Sequence, residues 1–106
     1  MSVVVPVEEL AAALVDYPWG YLVTVGNEHR SHVLAIPTDF HDGALHLRGG
    51  RSAMANVAAH PNVTMVFPHP AAGGYSLIVD GVATVDGQYV AVSPQHAILH
   101  RPAISE

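Results

Sequence analysis

The chain contains no cysteine and no lysine. The first absence excludes disulfides, thiolate nucleophiles and cysteine-ligated metals. The second leaves arginine as the only permanent cation, at Arg30, Arg48, Arg51 and Arg101. Nine acidic residues set the formal net charge at −5. Charged residues make up 12% of the chain, where about a quarter is usual. Without clustered positive charge, nucleic acid is not an expected partner. So little surface charge points to a buried subunit interface. Long apolar runs are also missing, and none approaches the roughly 20 residues of a membrane span. The start, MSVVVPVEEL, lacks a basic leader and meets Glu8 and Glu9 early. The expectation is a cytoplasmic protein with no membrane contact.

What is present is a chain of 106 residues, half of them apolar, enough for one domain spanning 1–106. Pro6 to Asp16 reads as a helix, with Pro6 suited to the first turn and Glu8 and Glu9 near its positive end. Tyr17-Pro18 ends it. Strands are expected at Tyr21 to Val25, Arg30 to Thr38 and Ala44 to Arg48, separated by turns at Gly26 to His29 and His41 to Gly43. The second of these is apolar on both faces, which predicts burial on both. An alanine-rich helix follows, Ser52 to His60, then a strand from Val63 to Phe67. The loop Pro68 to Gly74 forbids regular structure. Tyr75 to Val85 is a long strand with a bulge signal at Asp80-Gly81. Tyr89 to Val92 is the sixth strand. Pro94 then breaks it, Gln95 to Arg101 forms an edge strand or helical turn, and Pro102 to Glu106 a tail. Six strands joined by tight turns imply antiparallel pairing and a small barrel, about 19–101, with two short helices.

One stretch organises the rest: LHLRGGRSAMANVAAHPNVTMVFP, residues 45–68. A strand ends in Gly49-Gly50 and a helix opens at Arg51-Ser52. A helix N-terminus presents free N–H groups and partial positive charge, and so favours an anion. Two glycines can take positive φ and let a ligand approach the backbone. Arg48 and Arg51 add charge and Ser52 a hydroxyl. The alternative is a plain strand-to-helix turn with Ser52 as N-cap. Asn56 is unusual in mid-helix, because asparagine competes for backbone groups there. It is either solvent-exposed or ties the helix to a neighbouring loop.

The order GYLVTVGNEHRSHVLAIP, DGALHLRGGRSAMANVAAHPNVTMVF, GGYSLIVDGVATV resembles the pyridoxamine 5′-phosphate oxidase-like split-barrel proteins, over roughly Trp19 to Pro102. Asn56 to Val63, in the pattern N-x-x-x-x-P-x-V, is the most specific part, followed by Ser76 to Ala83; Ala97 to Ala103 resembles the ending of small actinobacterial members. The resemblance implies a six-stranded antiparallel split β-barrel. It also implies a homodimer with FMN in grooves between the subunits, or the deazaflavin F420 as the alternative. It places the cofactor phosphate at Arg48, Gly49, Gly50, Arg51 and Ser52, and the ring along Val33, Leu34, Ala35 and Ile36. Asn56 becomes the structural asparagine of the helix. Family members commonly carry a cation in the first helical turn, where this chain has Ala53, Met54 and Ala55.

The implied activity is an FMN-dependent oxidoreductase that passes hydride to or from a small-molecule substrate through the flavin. No catalytic residue set and no metal-ligand set stands out in the sequence. An F420-dependent reductase and a non-catalytic dimer that binds cofactor weakly or not at all are the alternatives within the same fold. A further alternative is a haem or metal binder using some of the eight histidines. His29 with His32 and His96 with His100 are spaced for it, the latter pair if it lies on a helix.

Overall fold

The computed structural model describes residues 2–102; Met1 and residues 103–106, most of the expected tail, lie outside the described residues. The strands are β1 (Ser2–Val5), β2 (Trp19–Val25), β3 (Ser31–Pro37), β4 (Asp39–His41), β5 (Ala44–Arg48), β6 (Asn62–Phe67), β7 (Ser76–Asp86) and β8 (Tyr89–His100). The helices are α1 (Leu10–Ala13), extended at both ends by 3-10 turns at Val7–Glu9 and Leu14–Asp16, and α2 (Arg51–Ala59). All pairing is antiparallel, in the order β3-β2-β6-β7-β8-β5-β4, with β1 added along β8.

The expected antiparallel, mainly β architecture with two short helices is present, but the described residues form eight strands and not six. Two short strands account for the difference. Ser2–Val5, a β-branched run ahead of Pro6, pairs with Ala97–His100. Asp39–His41 separates from β3 at Thr38 and forms its own hairpin with β5. The sheet is also open. Its two ends, β3 and β4, are consecutive in the chain but share no ladder, so the curled sheet comes back on itself without closing.

Pro94 does not end the last strand. β8 runs through it to His100, because the pairing slips beside it: Gly81 faces Pro94 while Asp80 faces His96. A proline at a bulge removes no ladder bond. Gly81 is needed there, since a Cβ would collide with the Ser93 carbonyl. His96 and His100 accordingly lie on a strand and not on a helical turn. Among the described residues, no three His, Asp or Glu side chains gather in a way that could hold a metal ion. Among the described residues, no helix is long and apolar enough to cross a membrane.

The concave face of the sheet holds the core: Leu22, Leu45, Met65, Phe67, Leu77, Val79, Val90 and Val92 are sealed from solvent. Leu10 of α1 and Ala53 and Val57 of α2 plug it. On α2 the buried face is Ala53 and Val57, with Met54 half-buried beside them, while Ala58 is exposed. The convex face behaves differently. Val33 is 57% exposed and Val4 65%, with Tyr21 and Trp19 also open. The expectation that β3 is buried on both faces is not met within one chain: its residues alternate between half-buried and exposed.

Candidate functional site

The turn between β5 and α2 departs from its expected form in two ways. Gly50 is the N-cap, at φ −80° and ψ 171°, so the helix starts at Arg51 and Ser52 is its second residue. Neither glycine has positive φ; the described glycines that do are Gly43, Gly73 and Gly87. Gly49 is required for another reason. A Cβ there would stand 2.9 Å from both Met54 and Val90. Its amide donates to the Gln88 carbonyl at 3.0 Å, fixing the end of β5 to the β7–β8 turn. Gly50 has open space around it. No side chain caps the helix, so its first N–H groups are offered outward.

The structure divides the predicted phosphate residues. Arg48 donates to the Gln88 side-chain carbonyl at 2.7 Å, at the β7–β8 turn. Arg51 is exposed at the first helical position. Ser52 lines a cleft of about 260 Å³ together with Gly26, Asn27, Arg30, Ser31, His32 and Asn56. The cation on this cleft is therefore Arg30, contributed by the β2–β3 turn and not by the helix. The turn brings it there through an unusual backbone: Glu28 and His29 both have positive φ, at 69° and 59°. Arg30 and Ser31 were not singled out from the sequence as ligand residues, and His32 only as a partner of His29 in the haem or metal alternative. The available signal was the small arginine inventory, one member of which sits in a turn beside a strand.

Two further observations bear on this cleft. His32 has a buried Nδ1 with no hydrogen-bond partner among the described residues. Such atoms are uncommon and call for a partner that the chain itself does not supply. Asn56 donates to the Thr24 hydroxyl at 3.1 Å, and its Oδ1 lies against Gly26, where a Cβ would be 2.8 Å away. It is not a solvent-facing residue. It fastens α2 to β2 and so holds Ser52 opposite Arg30.

The predicted ring surface is also divided. Val33 and Ala35 point outward and are exposed, while Leu34 and Ile36 turn inward and pack on the core. Because directly paired residues share a face, Val33 and Ala35 continue into Val23 and Tyr21 of β2, and Tyr21 into Val66 of β6. The result is an apolar convex strip that begins next to the Arg30–Ser52 cleft. Ser31 to Ala35 spans roughly 13 Å at about 3.3 Å per residue.

No protein-family model matches the chain. Uncharacterized proteins of Mycobacterium bovis and Mycobacterium tuberculosis are each 39% identical over 117 aligned positions, covering 93% of this chain and 82% of theirs. Among solved structures, an F420 reductase superposes with a TM-score of 0.70 at 19% identity, covering 88% of this chain and 98% of its own. An FAD-binding protein of Mycobacterium smegmatis gives 0.68 at 20% identity, covering 93% and 97%. A Corynebacterium glutamicum protein described as a candidate pyridoxamine 5′-phosphate oxidase gives 0.69 at 12% identity, covering 96% and 100%. The chain thus belongs to one family with the two mycobacterial proteins, built on the pyridoxamine 5′-phosphate oxidase-like split-barrel fold.

Proposed function

We propose that this protein is a flavin-type oxidoreductase whose cofactor is FMN, bound in the groove between two copies of the chain. The observation that carries this reading is the cleft where Arg30 and Ser52 meet beside the uncapped start of α2. Charge, hydroxyl and helix dipole converge there, as a phosphate requires. Arg30 compensates for the missing first-turn cation of the helix. His32 also lines this cleft, and its Nδ1 has no partner among the described residues.

In this reading Arg30, Ser52 and the N–H groups of the first helical turn hold the phosphate. Gly50, with no atoms near its missing side chain, leaves room for it. Arg51 stands by as a second, more exposed cation, and Arg48 steadies the turn through Gln88. Val33 and Ala35 give the ring an apolar bed, and the partner subunit covers it. When bound, the flavin supplies the hydride chemistry, and the protein supplies position and exclusion of water. FMN is favoured over F420 because the anionic polyglutamate tail of F420 asks for a basic groove, and four arginines on a chain of net charge −5 offer little of one.

Fluorescence titration of the purified protein with FMN and with F420 tests the reading. FMN emission quenched to saturation, and retained through gel filtration as a visible flavin band, supports it. A colourless protein that alters the emission of neither cofactor overturns it.

A further inference from the structure

A second cleft opens on the convex side at the other end of β2. Its volume is about 380 Å³, within the range of about 300–1,000 Å³ typical of small-molecule sites. Asp16, Trp19, Tyr21, Pro68, His69 and Pro70 line it. Trp19 and Tyr21 are 40% and 37% exposed, and their rings meet edge to face at 5.3 Å. Two exposed aromatics held in one cleft present broad apolar surface at low entropic cost, and such rings bind flat conjugated molecules well. The opposite wall is stiff, because Pro68 and Pro70 have fixed φ.

The polar groups of the cleft are few and specific. The Ala71 amide donates to His69 Nδ1 at 3.0 Å. The neutral ring therefore carries its proton on Nε2, as a hydrogen-bond donor. The His69 ring is fixed further by its edge-to-face contact with Tyr17 at 6.0 Å, and by the loop that closes over it at Gly74. Among the described residues, Asp16 is the one permanently charged member of the wall. Arg30, Arg48 and Arg51 belong to the turns already described, and Arg101 lies over the Tyr75 ring, 5.1 Å from its centroid.

The position ties this cleft to the cofactor surface. Tyr21 pairs in register with Ala35, and Trp19 with Pro37. The cleft thus borders the far end of the Val33–Ala35 strip, with the Arg30–Ser52 cleft at the near end. We propose that it is the substrate subsite, and that it takes a planar conjugated molecule that is neutral or cationic, not an anionic or phosphorylated one. The assignment as a substrate site rests on the flavin reading above. The specificity follows from the wall itself: two aromatic rings for a flat body, one donor at His69, one carboxylate at Asp16 and no cation.

Trp19 is the single tryptophan of the chain, so its emission reports on this cleft alone. The test titrates the full-length protein with three probes of one shape: N-methylquinolinium, quinoline and a quinoline carboxylate. N-acetyltryptophanamide serves as the collisional baseline. Saturable quenching is expected for the first two, with the cation about three- to fivefold tighter than the carboxylate, as an exposed charge contact provides. Asp16→Asn, an exposed substitution, should erase that preference while leaving quinoline binding unchanged. Tyr21→Ala should weaken all three probes by roughly tenfold. Quenching no greater than the baseline overturns the proposal. So does a carboxylate that binds as tightly as the cation, or a charge preference that survives Asp16→Asn. FMN titration runs in parallel. FMN binding without probe binding sinks the subsite alone, whereas probe binding without FMN binding sinks the flavin reading and with it the assignment to substrate.

Discussion

Asn56 in the middle of α2 donates to the hydroxyl of Thr24 in β2 at 3.1 Å, and Thr24 is fully buried. This bond joins the helix that carries Ser52 to the strand that leads into the Arg30 turn. Asn56→Ala leaves a buried hydroxyl unpaired and should cost about 1–2 kcal/mol. Urea denaturation will measure that loss. Because the bond also spaces the two walls of the Arg30–Ser52 cleft, the flavin reading predicts that the variant binds FMN less well than its remaining fold would allow.

Tyr17 offers a second check, by pH. Its hydroxyl donates to the Tyr75 carbonyl at 2.7 Å, and its ring is buried against Phe67. Burial first, and the nearby Asp16 carboxylate second, push the phenol above its ordinary value of 10.0. The folded state therefore favours the neutral phenol. Below the ordinary value that stabilisation is fully present. As pH rises past it the unfolded chain ionises first, and stability is lost up to and through the folded pKa. Tyr17→Phe should lower stability by about 1 kcal/mol at neutral pH and flatten the alkaline decline in urea midpoints as pH rises through and above the ordinary phenol value of 10.0.

The slip in pairing at Asp80/Gly81 makes a third prediction. Gly81 is buried, and a Cβ would run into the Ser93 backbone and within 2.8 Å of Val92. Backbone does not move aside as a side-chain tip does. Gly81→Ala should cost roughly 1–3 kcal/mol, the usual penalty for overpacking, while Gly50→Ala, which meets nothing within 4 Å, should cost far less. Thermal melts of the two variants side by side will show whether that order holds.

The convex strip makes a fourth. Val33 at 57% exposure and Val4 at 65% are large apolar side chains left open by one chain. A second copy covering the Val33 end is the arrangement that the flavin reading requires. Val33→Glu should leave the core intact and shift the protein from dimer to monomer in sedimentation. A wild-type protein that sediments as a monomer at all concentrations contradicts the shared groove.

Much of this fold was legible in the residues because local signals agreed with the tertiary outcome. Pro6, Glu8 and Glu9 mark a helical start that the structure keeps, and Asp80-Gly81 marks a bulge that it also keeps. Other segments hid more. Pro94 reads as a strand end, and only the partner strand's bulge explains why β8 continues through it. The short strands Ser2–Val5 and Asp39–His41 escaped because each is stabilised by a distant or folded-back partner and not by its own pattern. At the candidate site, the strand-to-helix turn at Gly49-Gly50 was readable, since turn chemistry is local, though neither glycine takes the positive φ expected of it. Arg30 was not, because 22 positions of chain separate it from Ser52 and only the curl of the sheet brings them to one cleft. The division of β3 into an outward Val33 and Ala35 and an inward Leu34 and Ile36 is also set by that curl, since both pairs are equally apolar.

The central claim is that Arg30 and Ser52 hold a phosphate. The most direct measurement compares FMN with riboflavin, which differ by that group, in wild type and in Arg30→Gln. The account predicts that wild type binds FMN roughly 10- to 100-fold more tightly than riboflavin, as one charge-assisted contact provides, and that Arg30→Gln loses most of this difference while riboflavin affinity holds. Equal affinities for FMN and riboflavin in wild type, or a preference untouched by Arg30→Gln, would contradict it.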